Sequence, residues 1–229
     1  MKRYIHFFHL AGIMLGMTML ASCDDINSVH EKYLDRGESI YTGIVDSLTV
    51  ESGNEKAKFR WMLNSDPRIK QVIIYWNNYT EYKAIDVHRE KPGLLWMNEE
   101  IEFPEKDYVF YLMTTDGNGH QSMPVEKAVK IYGPKYVASL VNRGIKKSSV
   151  SKGKATLTWA SISTPTLLYT TIKYTDNSGS EIEMRVENNS GTTTLEEMKS
   201  GDKIKIISTF KPEGSYVTFD AKETYYTLQ

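Results

Sequence analysis

Two tryptophan-bearing stretches of this chain align at a fixed separation of 98 residues (159 − 61). The first runs KAKFRWMLNSDPRIKQVIIYWNN from Lys56 to Asn78, and the second is centred on Trp159. The same offset carries Phe59 onto Leu157, Pro67 onto Pro165, Ile74 onto Ile172 and Trp76 onto Tyr174. A repeat of this length, close to half of the chain beyond its leader, implies one supersecondary module built twice. Within the first copy Ala57, Phe59, Trp61 and Leu63 alternate with Lys56, Lys58 and Arg60. That period of two describes a strand with one face in a core.

The neighbouring segments extend the pattern. Asn64-Ser65-Asp66-Pro67 is a turn, Ile69 to Asn78 a second strand, and Tyr82 to His88 and Leu94 to Phe103 two more. Asp107 to Thr115 and Val125 to Tyr132 flank an Asp116-Gly117-Asn118-Gly119 hairpin turn, and Ile44, Leu48 and Val50 mark an opening strand. After Gly133-Pro134 the second copy offers Leu157, Trp159, Ile172, Tyr174, Ile182, Met184, Val186, Leu195, Ile204, Ile206 and Phe210 as its core. Lys135 to Gly153 carries the first strand of the second copy plus a Lys/Ser-rich loop, 146–154, and Tyr216 to Leu228 reads as the closing strand. The class is all-β: two tandem immunoglobulin-like sandwiches, over residues 42–133 and 134–229. Fifteen tyrosines and four tryptophans in β-branched surroundings agree with it. Trp61, Tyr108 ahead of Phe110 and Leu112, and the Asp-Gly-Asn-Gly turn resemble fibronectin type III modules.

At the start, Lys2 and Arg3 precede an apolar run from Ile5 to Leu20, broken by His6 and His9. The run is too short and interrupted for a permanent span, and fits a signal peptide over residues 1–22. It closes on Leu20-Ala21-Ser22-Cys23, which resembles the lipobox of bacterial lipoproteins. That resemblance implies that Cys23, the chain's one cysteine, is acylated and holds the protein to a membrane. Asp24-Asp25 resemble surface-export signals of Bacteroidota lipoproteins, which implies outer-membrane attachment facing outwards, whereas in other Gram-negative groups an Asp at that position implies retention at the inner membrane. Residues 23–41 read as a lipidated tether with a short helix, Ser28 its N-cap, Glu31 completing a capping box and Gly37 ending it.

His30, Lys32-Tyr33-Leu34, Gly37-Glu38, Tyr41 and Val72-Ile73-Ile74-Tyr75-Trp76 resemble a Bacteroidota lipoprotein family known as a domain of unknown function. Members of that family accompany polysaccharide-utilisation loci. The resemblance therefore implies carbohydrate handling beside an outer-membrane transporter or a partner lipoprotein, and names no site.

The repeat exposes one asymmetry. Outward positions Thr171 and Lys173 of the second copy correspond to Ile73 and Tyr75 in the first. On the adjoining strand the outward set is Val109, Tyr111 and Met113. An outward apolar stripe marks an interface. Either the second sandwich or the tether covers it, or it docks a partner. A third reading is that Tyr75 and Tyr111, with Tyr79, Tyr82 and Trp96, form an aromatic platform for sugar rings, Asn77 and Asn78 bonding the hydroxyls.

Other classes find less support. The formal charge of −1, or −3 once Lys2 and Arg3 leave with the leader, supplies no basic field for nucleic acid. A glycosidase needs two carboxylates across a cleft; Glu99, Glu100 and Glu102 alternate along one strand and read as solvated edge charges. Neither a His-Glu-x-x-His nor a Gly-x-Ser-x-Gly pattern occurs. Asp116, Asn118 and His120 share a turn but lack the longer ligand series of a calcium loop. The sequence calls for no cofactor. The expected role is a non-catalytic envelope lipoprotein presenting a binding surface, with a structural spacer and then a cryptic glycoside hydrolase as the alternatives.

Overall fold

The computed structural model describes residues 41–229 except Ser163, so the leader, Cys23 and the tether helix lie outside the described residues. In chain order the first half gives β1 (Val45–Ser52), β2 (Lys56–Leu63), β3 (Gln71–Trp76), β4 (Glu81–Asp86), β5 (Leu95–Glu102), β6 (Asp107–Thr115) and β7 (Val125–Lys130). A short helix, α1 (Pro134–Ser139), follows. Then come β8 (Ile145–Ser151), β9 (Lys154–Trp159), β10 (Leu167–Thr175), β11 (Glu181–Glu187), β12 (Thr192–Glu196) and β13 (Lys203–Phe210), closed by β14 (Phe219–Asp220) and β15 (Thr224–Thr227).

The connectivity is the same twice. A sheet ordered β1-β2-β5 faces one ordered β4-β3-β6-β7; a sheet ordered β12-β9-β8 faces one in which β10 lies between β11 and β13, with β14 and β15 both on β13. All these strand pairs are antiparallel. The protein is thus all-β, two immunoglobulin-like sandwiches in tandem. Trp61 and Trp159 hold equivalent places, each on the central strand of its three-stranded sheet and each buried.

Alternation fixes which face is inward. Ala57, Phe59, Trp61 and Leu63 are fully buried, and Phe110 meets Phe59 edge-on at 4.9 Å between centroids. Leu157, Ile172, Leu195, Met198 and Ile204 centre the second core. Phe210 departs from the expected list, packing with Leu167 and Ala221 in a smaller cluster. The second copy's first strand, β8, runs through most of the Lys/Ser-rich stretch expected as a loop, and only Lys152 and Gly153 turn before β9. Ile145, Ser148 and Val150 turn inward there, and Ser148 accepts hydrogen bonds from the Tyr226 hydroxyl and the Gln229 amide. A small hydroxyl with two donors fits a core edge where an apolar residue would leave both unpaired. Helix α1 was also not expected; Pro134 starts it, and Glu105 accepts from the Lys135 and Tyr136 amides at 2.6 and 2.7 Å.

Ser52 joins the two sandwiches. Its amide donates to the Gly214 carbonyl at 2.8 Å, and its own carbonyl accepts from the Tyr216 amide and the Ser215 hydroxyl, each at 3.0 Å. Its hydroxyl accepts from the Tyr132 amide. Beside it the Tyr216 hydroxyl donates to Glu100 at 2.8 Å, and Lys58 lies over the Tyr216 ring. Burial and the Glu100 carboxylate push the Tyr216 hydroxyl up to about 12. Tyr132, Tyr136 and Phe219 close the junction as a ring cluster.

The turn before β3 depends on Asp66, whose carboxylate accepts from the Arg68 guanidinium and from the Arg68 and Gly43 amides. Those bonds, the guanidinium first, outweigh burial and lower Asp66 to about 2 from the ordinary 3.8. A depressed carboxylate stabilises fully above its unfolded value, and the contribution fades as pH falls through 4 toward 2. Asp66→Asn should therefore lose roughly 1–3 kcal/mol at neutral pH. Acid titrations of stability should converge for the two proteins near pH 2; parallel curves would show that Asp66 does not set the acid limb.

Candidate tyrosine face on the first sandwich

On β3, Val72 and Ile74 are fully buried in the core, so Ile73 and Tyr75 project from the opposite side of the sheet, where Tyr75 is half-buried and Ile73, expected as an exposed surface residue, is itself buried. Register places Tyr75 between Tyr111 on β6 and Tyr82 on β4, and Ile73 between Met113 and Ala84. Five of the expected residues, Ile73, Tyr75, Tyr82, Tyr111 and Met113, therefore meet on one face. Val109 continues it beside Ala128 of β7, and Glu126 stands next to Tyr111.

Tyr79 reaches the same face from the turn between β3 and β4. Asn77, Asn78 and Tyr79 have φ of 49°, 54° and 64°. Asparagine tolerates that left-handed region, but a tyrosine there is strained. The turn is braced on both sides. Glu81 accepts from the Trp76 indole N–H at 2.5 Å and the Asn77 amide at 2.8 Å, and Lys106 donates to the Asn77 side-chain oxygen at 3.0 Å. These donors, Asn77 first, lower the Glu81 carboxyl below its ordinary range.

The geometry lays Tyr79 flat on Tyr111, 4.5 Å between centroids and 23° between planes. Tyr75 lies 5.3 Å from Tyr79 and 5.8 Å from Tyr82. Partial burial, then Tyr111, raises the Tyr79 hydroxyl above its usual range. Tyr79 and Tyr82 stay 45% and 64% exposed, so the cluster offers two ring faces to solvent across a packed Tyr75. Such an arrangement can stack flat apolar ligand faces while phenol and amide groups bond hydroxyls.

Trp96 is elsewhere. It stands opposite Met62 on the outer face of the three-stranded sheet, with the Arg60 guanidinium 4.5 Å over its ring. The first sandwich therefore exposes aromatic side chains on both sheets rather than one five-ring platform. The named junction contacts fall on Ser52, Lys58, Glu100, Glu105 and Tyr132, none of which lies on the tyrosine face.

The second sandwich differs at the matching positions. Lys173 and Lys205 pair where Tyr75 and Tyr111 do, and ion pairs Lys173–Glu183, Arg185–Glu187 and Lys205–Glu223 cover the sheet at 2.7 to 2.8 Å. A solvated, charge-paired face is what an ordinary sheet exterior carries. Of the acidic and metal candidates, Glu99 lies 3.5 Å from Lys83, Glu100 bonds Lys56 and Tyr216, and Asp116 accepts from its own turn and pairs with His120 at 2.6 Å. Glu81 and Lys106, which brace the turn, escaped the sequence reading; the consecutive asparagines were the one local signal.

A family described as a domain of unknown function, DUF4998, matches residues 23–218. No curated protein matches the chain. Among solved structures, a two-domain fibronectin type III segment of chicken tenascin is similar at 13% identity, covering 81% of this chain and 98% of that one with a TM-score of 0.33. The FN1–FN3 domains of chicken CNTN1 are similar at 12% identity, covering 84% and 69%, with a TM-score of 0.37.

Proposed function

The chain belongs to the DUF4998 family, a domain of unknown function, and on the chemistry of its own surface we propose that it is a non-catalytic cell-envelope lipoprotein whose tyrosine face binds an oligosaccharide. The observation that carries this reading is the braced, left-handed Asn77-Asn78-Tyr79 turn, which holds an aromatic ring in place on the face where the second sandwich has ion pairs. Backbone strain persists where surrounding bonds enforce it, and it concentrates at ligand clamps. Acylated Cys23 would hold this surface at the outer membrane, within reach of a transporter or partner lipoprotein of a glycan-uptake system.

Affinity electrophoresis against a panel of host and plant glycans tests the reading. We expect retardation by at least one neutral polysaccharide, weakened about tenfold or more by Tyr79→Ala and by Tyr75→Ala, the scale of one lost aromatic contact. Retardation unaffected by either change would remove the tyrosines from the site. A spacer role is the second reading, favoured by the hydrogen bonds that fasten the sandwiches through Ser52. Retardation by no glycan, with co-purification of an outer-membrane transporter, would select it, and release of sugar product would overturn both.

A further inference from the structure

At the other end of β3 from the tyrosine turn, about 20 Å away along a six-residue strand, the β2–β3 and β4–β5 connections line a cavity of about 430 Å³ that is open to solvent. Its cations are Arg89, Lys70 and Lys91, against one acid, Glu90. Arg89 is held in place by neutral groups. One terminal nitrogen donates to the Gly93 carbonyl at 2.6 Å, the other donates to the Asn64 carbonyl, and Nε is buried with no hydrogen-bond partner among the described residues. Gly93, at φ 132°, occupies backbone that favours glycine, and its carbonyl is one of the two that fix the guanidinium.

Carbonyls orient a guanidinium without neutralising it, so the charge of Arg89 stays available to an incoming anion. Among the described residues, no ion pair engages Arg89, Lys70 or Lys91. The other walls are Ser65 and the apolar Pro67, Pro92, Ile69 and Val87. The ligand that satisfies both halves is small, negatively charged and flat on one side.

We infer that this cavity is a second binding site, separate from the tyrosine face, and that it takes a carboxylate-bearing sugar residue. The carboxylate sits among Arg89, Lys70 and Lys91, and the ring rests on the prolines. Volume agrees, since a pocket near the lower end of the usual ligand-site range holds a monosaccharide rather than a chain.

Calorimetric titration of the folded protein with sodium glucuronate, glucose and acetate separates charge from shape. Glucuronate should bind in the millimolar range, with glucose and acetate each about tenfold weaker or worse, and its affinity should fall as salt rises. Because Arg89 bridges two loops, its replacement can unfold them, so the variant of choice is the Lys70→Gln, Lys91→Gln double change. That variant should keep its denaturant midpoint and lose about tenfold or more in glucuronate affinity. Equal binding of acetate would reduce the site to a plain anion trap and overturn the assignment, as would glucuronate heats indistinguishable from those of glucose. Tyr79→Ala should leave glucuronate binding unchanged, so failure here does not bear on the tyrosine face.

Discussion

Trp61→Ala should destabilise the protein by about 3–5 kcal/mol, the range for removing a large aromatic from a packed core. The side chain is fully buried on the central strand of its sheet, among residues that include the fully buried Phe59 and Leu63 on the same strand. Among the described residues the indole N–H has no hydrogen-bond partner, so Trp61→Phe forfeits packing volume but no hydrogen bond and should cost clearly less than alanine. Trp159 makes the comparison informative. Its indole N–H donates to the Thr193 hydroxyl at 2.8 Å, so Trp159→Phe leaves a hydroxyl unpaired as well as a smaller ring. Denaturant unfolding at neutral pH measures all three. A loss below about 1 kcal/mol for Trp61→Ala would mean that the core does not rest on this ring.

Arg143→Ala should have the second largest effect, about 2–4 kcal/mol. This arginine is buried, yet among the described residues no carboxylate pairs with it. Its guanidinium donates to the carbonyls of Ala160, Glu187 and Ser190 and lies 5.2 Å from the Trp159 ring centre. Burial lowers its pKa below the usual arginine range. Truncation strips donors from three carbonyls at once and uncovers the tryptophan. Arg143→Met keeps the apolar stem and should recover only the packing share, while Arg143→Lys cannot reach all three acceptors from a single ammonium. Unfolding midpoints within error of the parent for Arg143→Ala would assign the bonds to solvent-equivalent contacts.

Much of the architecture was legible because alternation and the repeat carry the same information twice. Inward Phe59 and Trp61 on β2 predict outward Lys58 and Arg60, and the offset then orients Leu157 and Trp159 on β9. The outward tyrosines followed from that logic alone. What escaped depends on which strands become neighbours. Trp96 shares an aromatic character with Tyr82 but sits on a strand paired to β2, and no local pattern distinguishes the two sheets. Most of strand β8 looked like a loop because only Ile145, Ser148 and Val150 turn inward among lysines and serines. Ser148 can line a core edge there because the distant Tyr226 and Gln229 supply its donors. The Arg89 cavity was invisible for a similar reason: its cations come from two connections, separated by β3 and β4, that the fold brings together.

The serine that ends β1 has a consequence for how the molecule fails. Because Ser52 lends both its amide and its carbonyl to the 214–216 loop across the junction, fraying of the β1 end removes an acceptor and a donor from that loop in the same event. Loss of order in one half is thereby transmitted to the other, and melting becomes a concerted affair rather than two separate ones. A protease probing the exposed surface would find few states in which a single sandwich stands open alone.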